Sequence, residues 1–150
     1  MALSLAASLS RCGTFSAPDI ACSYVYWIQS SPPDVGVSTR NALSIGRQLP
    51  VDWHLKYTDK EKESVHQEVL SNVKQLNYGS LSNGCLMRIS PLAIFSLNAP
   101  IERVREMVHA DCSLTHCEED CVEAVFSYVM AIRELLNGKN GAVCCSSNTV

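Results

Sequence analysis

Residues 58–79 read TDKEKESVHQEVLSNVKQLNYG, and this stretch contains the start, the inner face and the end of a long helix. Thr58 is a favourable N-cap residue, and Glu61 stands three residues later, as in a capping box. Apolar residues then recur at helical spacing, at Val65, Val69, Leu70, Val73 and Leu76. The Asn-Tyr-Gly sequence at 77–79 ends the pattern. The stretch therefore predicts an amphipathic helix that buries one face against other helices.

Helical patterns continue on both sides of this stretch. Before it, the sequence predicts a short buried helix closed by Gly13, a helix with Pro18 in its first turn, and a helix capped by Ser38 or Thr39 that carries Ala42, Leu43 and Ile45. After it, a helix from Met87 to Leu97 is predicted to be buried on most sides. A second helix, at about 101–110, places four residues inward: Ile101, Val104, Met107 and Val108. A third, at 118–137, has six residues at helical spacing: Cys121, Val122, Val125, Val129, Ile132 and Leu136. No strand-like alternation persists. The predicted fold is all-α, an orthogonal multi-helix bundle over residues 1–138, followed by a flexible tail at 139–150.

Composition sets the class of protein. The chain has 150 residues, of which 47% are hydrophobic and 18% charged, enough for one domain with a core. The net charge is −3 and no run of lysine or arginine occurs, which argues against a nucleic-acid partner. No apolar run approaches the roughly 20 residues of a membrane span. We therefore expect a protein that binds neither nucleic acid nor membrane.

Eight cysteines are many for this length and raise the question of the compartment. The opening MALSLAASLSRCG has no basic residue before its apolar part and is interrupted by serines. A short buried helix is therefore a better interpretation than a signal peptide or a mitochondrial transit peptide. A zinc site is also less favoured than buried thiols, because the spacing fits no known zinc motif across His109, Cys112, His116, Cys117 and Cys121. We expect a cytoplasmic protein with eight reduced thiols.

Three loops hold the candidate binding residues. In PPDVGVSTR, 32–40, Asp34 can place a carboxylate beside a ligand, although a solvated turn acid is the simpler interpretation. In SNGCLMR, 82–88, a turn of Ser82, Asn83 and Gly84 can line a polar pocket, and Arg88 can reach an anion or pair with a carboxylate. A helix-initiating turn with a surface arginine is the alternative for this loop. In the third loop, HADCSLTHCEEDC, 109–121, His116 follows Thr115 near a helix start, where a neutral imidazole can form a hydrogen bond with a ligand.

The order and spacing of five segments resemble the ADP-ribosylglycohydrolases, the family of the dinitrogenase reductase-activating glycohydrolase. The segments are MALSLAASL, YVYWIQS, PPDVGVSTRNAL, SNGCLMRISPLAIF and SLTHCEEDCVEAVFSYVMAIRELLNG. SNGCLMR and DVGVSTRNAL are the specific ones, and the resemblance covers about residues 1–138. It implies a partial domain of that family, whose SNG loop contributes to an ADP-ribose cleft. It also implies that Asn83, Arg88 and His116 orient ADP-ribose and that Asp34 assists.

The same resemblance implies magnesium as the cofactor. Family members hold two magnesium ions with a Thr-Asp-Asp run upstream of the segment that begins here at Met1 and with a second Asp-rich motif downstream. This sequence has neither motif, and Glu118, Glu119 and Asp120 are better interpreted as favourable charges at a helix start. We therefore expect no metal ligands within this chain, which resembles a fragment of a typical family domain.

Two functions follow. The first is a hydrolase that removes ADP-ribose from a protein or small acceptor by metal-assisted glycosidic hydrolysis, of which this chain is a truncated form, inactive alone. The second is a non-catalytic structural or ADP-ribose-binding remnant, as in crystallins that resemble the family. In either case, helix faces left without partners predict self-association.

Overall fold

The computed structural model describes residues 1–138, in which the chain forms helices and no strand. The helices are α1 (Ala2–Cys12), α2 (Ala17–Gln29), α3 (Val37–Leu43), α4 (Trp53–Lys56), α5 (Asp59–Leu76), α6 (Ser90–Phe95), α7 (Ile101–Cys112) and α8 (Glu119–Leu136), and a 3-10 turn at Leu86–Arg88 precedes α6. The all-α prediction is therefore confirmed for this part of the chain. The tail predicted at 139–150 lies outside the described residues. Within residues 1–138 no helix has both the length and the apolar character to cross a bilayer.

Helix α2 lies at the centre of the bundle, because most of its surface is apolar. It packs against α1, α3, α4, α5 and α7, and every residue from 19 to 25 is buried. Helix α6 packs against both α1 and α8, and α7 packs along α8. The loops before α3, α6 and α8 come together at one end of this core, where the candidate residues lie.

The capping box of α5 is confirmed, and so is most of its inner face. Thr58 Oγ1 accepts from the backbone N–H of Glu61 at 3.4 Å, and Glu61 Oε2 accepts from the N–H of Thr58 at 2.8 Å. Three residues predicted to face inward are instead exposed, namely Leu76 (57%), Ile101 (54%) and Leu136 (53%). Each is the first or last residue of its helix.

The predicted helix from Met87 to Leu97 is wrong in both extent and burial. The segment divides into the 3-10 turn and the six-residue α6, which has Pro91 in its first turn. Proline has no N–H and its ring collides with the carbonyl four residues earlier, so a continuous helix from Met87 is broken at Pro91. Met87 and Ile94 are 74% and 63% exposed, so the segment buries one side only.

The start of α3 also differs from the prediction. Its N-cap is Gly36, rather than Ser38 or Thr39, and no side chain caps it. Both hydroxyl residues lie within the helix: Ser38 Oγ bonds to Ser80 Oγ at 2.7 Å, and Thr39 is buried. Ile45 follows the end of the helix and packs against the core from the loop.

One buried carboxylate joins the first two helices to α5. Asp19 accepts from Ser8 Oγ at 2.6 Å, from Arg11 Nη2 at 2.5 Å and from Lys62 Nζ at 2.7 Å. Burial disfavours the charged form of Asp19, but the bonds from Lys62, Ser8 and Arg11 outweigh it and lower the pKa of the carboxyl. The ionised form therefore stabilises the folded chain.

Candidate functional site

A cleft of about 390 Å³ opens between the segment before α3 and the Ser82–Gly84 turn. Its walls include Trp27 from α2, Asp34 from the loop, and Ser38 and Thr39 from α3. Met87 from the 3-10 turn adds an apolar side chain on the other wall. A volume near the lower end of the roughly 300–1,000 Å³ of small-molecule sites suits part of a nucleotide-sized ligand.

Close packing around the turn at Ser82–Gly84 explains the glycine at position 84. A Cβ added there would lie 3.1 Å from Thr39 Oγ1 and 3.3 Å from His116 Cε1, both tighter than ordinary contacts. The turn is therefore held between α3 on one side and the segment before α8 on the other. Asn83 remains exposed at the tip of the turn, where its amide can reach a ligand in the cleft.

A chain of hydrogen bonds supports Ser82 from the interior. His116 is fully buried, and its Nε2 lies 2.7 Å from Ser82 Oγ. Its Nδ1 lies 2.8 Å from Thr115 Oγ1, which accepts from Arg88 Nη1 at 2.7 Å. We assign the Nε2–H tautomer, because the Thr115 hydroxyl can then donate to Nδ1 while the imidazole donates to Ser82. This tautomer leaves the Ser82 hydroxyl proton free to donate elsewhere.

Beneath this chain lies a fully buried ion pair between Arg88 and Asp111. Arg88 Nε donates to Asp111 Oδ2 at 3.0 Å, and Nη2 donates to the Asp111 backbone carbonyl at 2.6 Å. Burial disfavours the charged guanidinium, but the Asp111 carboxylate outweighs it and raises the pKa of Arg88. Tyr24 Oη donates to Asp111 Oδ1 at 2.6 Å, and burial, with the Asp111 charge, raises the pKa of Tyr24. The three side chains form a charged but fully paired support.

Asn77, at the end of α5, joins the start of α3 to the segment before α8. Its side chain is buried and Nδ2 donates to two backbone carbonyls, that of Ser38 at 2.7 Å and that of Thr115 at 2.8 Å. Its Oδ1 accepts from Asn41 Nδ2 at 3.2 Å. The residue predicted only to stop α5 thus fixes the start of α3 relative to the residues behind Ser82.

The structure brings the six predicted site residues to one end of the bundle, in two layers. Asp34, Ser82, Asn83, Gly84 and Arg88 all border the cleft, and Asp34 and Asn83 are exposed there. His116 lies behind the turn, with both ring nitrogens bonded to protein hydroxyls. The side chain of Arg88 is 2% exposed and engaged by Asp111. Their predicted roles in ligand binding remain predictions.

Four residues of this end were not predicted as site residues: Tyr24, Trp27, Asn77 and Asp111. One of them carried a signal in the sequence. Asp111 follows Val104, Met107 and Val108 at helical spacing, so it falls on the inward face of α7, where a carboxylate needs a partner. Nothing local to the sequence marked Tyr24 as that partner, because the two residues are 87 positions apart.

Comparison with protein families shows which family the chain belongs to. The sequence model of the ADP-ribosylglycohydrolase family matches residues 1–147, nearly the whole chain. The chain belongs to the ADP-ribosylglycohydrolase family. The resemblance seen in the SNGCLMR and DVGVSTRNAL segments is thereby confirmed.

Two curated members of the family are similar to the chain. One, 23% identical over 147 residues, is named an ADP-ribosyl glycohydrolase of Acanthamoeba polyphaga mimivirus; the match covers 95% of this chain and 39% of that protein. The other, 24% identical over 144 residues, is the ADP-ribosyl-[dinitrogen reductase] glycohydrolase of Rhodospirillum rubrum, with 96% and 42% covered. The chain therefore spans about two fifths of the length of these relatives. No solved structure matches it.

The magnesium expected for this glycohydrolase family does not fit the residues at the cleft. Asp34 is the one carboxylate that borders the cleft in the part of the chain that the structure describes. Magnesium needs several oxygen ligands in near-octahedral arrangement. Across residues 1–138, no three histidine, cysteine, aspartate or glutamate residues are placed to hold a metal ion.

The cysteines near the site are unpaired. All six cysteines among residues 1–138 are free thiols, and Cys144 and Cys145 lie outside the described residues. Burial of Cys22 raises the pKa of its thiol to about 12, which keeps it protonated. Three other thiols, Cys85, Cys112 and Cys121, lie together behind the Ser82–Gly84 turn.

Proposed function

We propose that this chain provides one wall of an ADP-ribose site in an ADP-ribosylglycohydrolase, and that residues 1–138 alone bind the ligand without hydrolysing it. The observation that carries the proposal is the cleft itself, whose exposed Asn83 stands on a turn held by buried groups. The bound group would be ADP-ribose, free or attached to a protein or small acceptor. The family reaction is hydrolysis of the bond between ADP-ribose and that acceptor.

Each wall of the cleft suits a different part of this ligand. Trp27 offers an aromatic surface on which an adenine ring can stack. The Asn83 amide and the Ser38 and Thr39 hydroxyls can exchange hydrogen bonds with ribose and phosphate oxygens. Asp34 can accept from a ribose hydroxyl. Because Arg88 is neutralised by Asp111, we propose that it acts by positioning Ser82 and Gly84 from below.

A second candidate function is non-catalytic, as a structural or ADP-ribose-binding protein. The observation that favours it is that Asp34 is the one carboxylate at the cleft among the described residues. A water with no metal to lower its pKa is a weak nucleophile. For either function we propose a cytoplasmic setting, a compartment in which thiols stay reduced.

Calorimetric titration with ADP-ribose tests the binding proposal. We expect a Kd of about 0.1 mM or weaker, equivalent to at most ~5.5 kcal/mol, because one wall covers only part of the ligand. Asn83→Ala should weaken binding by about threefold to tenfold, the value of one or two hydrogen bonds. Asn98→Ala removes a matched exposed amide elsewhere and should change nothing. Equal binding by Asn83→Ala and the parent protein, both folded by circular dichroism, would contradict the assignment.

Turnover distinguishes the two candidates from a complete enzyme. Purified 150-residue protein, incubated with ADP-ribosylated protein and with ADP-ribosylated small acceptors, should release no ADP-ribose with or without millimolar magnesium. Magnesium-dependent release by this chain would overturn the proposal that it binds ADP-ribose without hydrolysing the bond to an acceptor. Binding of ADP-ribose without its release from an acceptor is the result expected if the chain forms only one wall of the site.

A further inference from the structure

A second, smaller cavity of about 190 Å³ lies on the other side of the Ser82–Gly84 turn from the cleft. Ser82 and Asn83 border both cavities, and the opposite wall of the smaller one comes from α8. Two thiols line it, Cys85 from the turn and Cys121 from the first part of α8. A water needs only roughly 10–15 Å³ of such space, so a small uncharged oxidant fits beside both sulfurs.

The thiols around this cavity differ in their surroundings. A hydrogen bond from the fully buried Cys112 lowers the pKa of Cys85 despite its burial, and the nearby His116 and Arg88 act in the same direction. Cys112, the donor in that bond, has a raised pKa. Burial and the neighbouring Cys85 raise the pKa of Cys121 to about 11. Cys85 also lines the cavity, whereas Cys112 does not, so Cys85 is the thiol of this pair that meets a solute there.

Cys121 is placed to complete a reaction at Cys85. It lines the same cavity as Cys85, and its Sγ contacts the backbone carbonyl of Ser80 at 3.6 Å and that of Ser82 at 4.0 Å. It thus lies against the turn that carries Cys85. Cys112, by comparison, is 0% exposed and acts as donor from the interior.

We propose that Cys85 is a site of oxidation by small hydroperoxides and that Cys121 resolves the product into an intrachain disulfide. The Cys85 thiolate attacks one peroxide oxygen, the O–O bond breaks, and a sulfenic acid forms. The other oxygen leaves as alkoxide, or as hydroxide from hydrogen peroxide, and takes up the proton that the Cys85 thiol released. The Cys121 sulfur then attacks Cys85 Sγ, the S–O bond breaks, and the departing hydroxide takes the Cys121 proton to leave as water. Two thiols are oxidised by two electrons in total, and one hydroperoxide is reduced to water and the corresponding alcohol, or to two waters.

Peptide mass mapping after treatment of the whole 150-residue protein with hydrogen peroxide tests the proposal. We expect a Cys85–Cys121 disulfide, two hydrogens lighter than the separate peptides, to appear before oxidation of Cys117. If exposure alone decided reactivity, Cys117, whose side chain is on the surface, would be oxidised first. The order in which the two sites are oxidised therefore tests the proposal. Cys117→Ser is the matched control and should leave the disulfide unchanged.

Two variants separate the roles of the sulfurs. Cys121→Ser should abolish the disulfide and leave the Cys85 sulfenic acid to be captured by a 1,3-diketone reagent. Cys112→Ala should slow formation of the disulfide, whereas Cys112→Ser, which keeps a donor, should restore much of the rate. Circular dichroism confirms that each variant is folded. Cys85 still reduced when Cys117 is fully oxidised, or joined to Cys112 instead of Cys121, would overturn the proposal.

Discussion

At the scale of single residues, position 84 is where packing constrains the site most tightly. Replacing Gly84 with alanine puts a methyl group 3.1 Å from Thr39 Oγ1 and 3.3 Å from His116 Cε1, so the turn or its neighbours must shift. We expect Gly84→Ala to lower the free energy of unfolding by about 1–3 kcal/mol, as overpacking does. Urea denaturation measures this change.

The control for that variant is a glycine in open surroundings. Gly46 is exposed, and a Cβ there would come no closer than 3.9 Å to Glu68 Oε1. Gly46→Ala should stay within about 0.5 kcal/mol of the parent protein. Equal changes in the free energy of unfolding at both positions would show that the close contacts at Gly84 do not determine the effect of the substitution.

The Arg88–Asp111 pair leads to the second prediction. Asp111→Asn leaves the buried guanidinium without its counter-charge, which should cost about 3–5 kcal/mol of stability. Glu106→Gln breaks an ion pair of similar length with Arg103, 2.8 Å, but both side chains are more than half exposed, so the loss should stay under about 1 kcal/mol. Thermal unfolding followed by circular dichroism compares the two variants. Similar losses of stability would show that burial does not determine the cost of breaking these ion pairs.

Sequence patterns indicated candidate site residues that the structure brings together, but not the contacts that these residues make. Turn chemistry identified Ser82, Asn83 and Gly84, because residues suited to turns are visible locally. The state of Arg88 was not visible, because its partner Asp111 is 23 positions away and only the packing of α7 against the core brings them together. The sequence thus indicated where a ligand could bind, and tertiary contacts determined which side chains remain available to it.

At the scale of helices, the network around Asp19 makes stability depend on pH. The folded pKa of Asp19 lies below its unfolded value of about 3.9, so its contribution is complete above that pH and is lost as the pH falls through the folded pKa. Asp19→Asn should therefore flatten the decline in stability below about pH 4. Urea midpoints at a series of acidic pH values measure the slope.

A carboxyl outside this network provides the comparison. Asp59 is exposed in the first turn of α5, so Asp59→Asn should keep the acid-dependent decline of the parent protein. If Asp19→Asn and the parent protein lose stability in parallel between about pH 4 and pH 2, the network does not govern acid unfolding.

Helix interiors were predictable and helix ends were less so. The capping box and the Val65, Val69 and Val73 stripe of α5 follow from local spacing alone. The ends were mispredicted where neighbours decide burial, as at Leu76, and where one residue overrides an apolar pattern, as Pro91 does in α6. The four-residue α4, which buries Trp53, gave too little periodicity to be seen.

At the scale of the whole molecule, exposed apolar side chains lead to a prediction about assembly. Leu3, Met87 and Ile94 are 85%, 74% and 63% exposed on α1, the 3-10 turn and α6, elements that pack against one another. Exposed apolar surface of this kind favours association. We propose that copies of the chain associate through these side chains, and that sedimentation velocity will show an average mass that rises with protein concentration.

Substitutions of two of these side chains test the assignment. Leu3→Ser combined with Ile94→Ser should shift the protein towards monomer, because it removes apolar surface without entering the core. Leu55→Ser, on α4, changes a leucine of comparable exposure, 55%, and should leave the mass distribution as it was. A parent protein that sediments as monomer at every concentration would contradict the prediction.

The Ser82–Gly84 turn separates two cavities, and this thin partition has a thermodynamic consequence. If ligand in the cleft and a disulfide in the smaller cavity favour different positions of the turn, the two events share a coupling free energy. Linkage then requires symmetry: the factor by which the Cys85–Cys121 bond changes ADP-ribose affinity equals the factor by which ADP-ribose changes the equilibrium constant for forming that bond. Measuring either quantity would give the other.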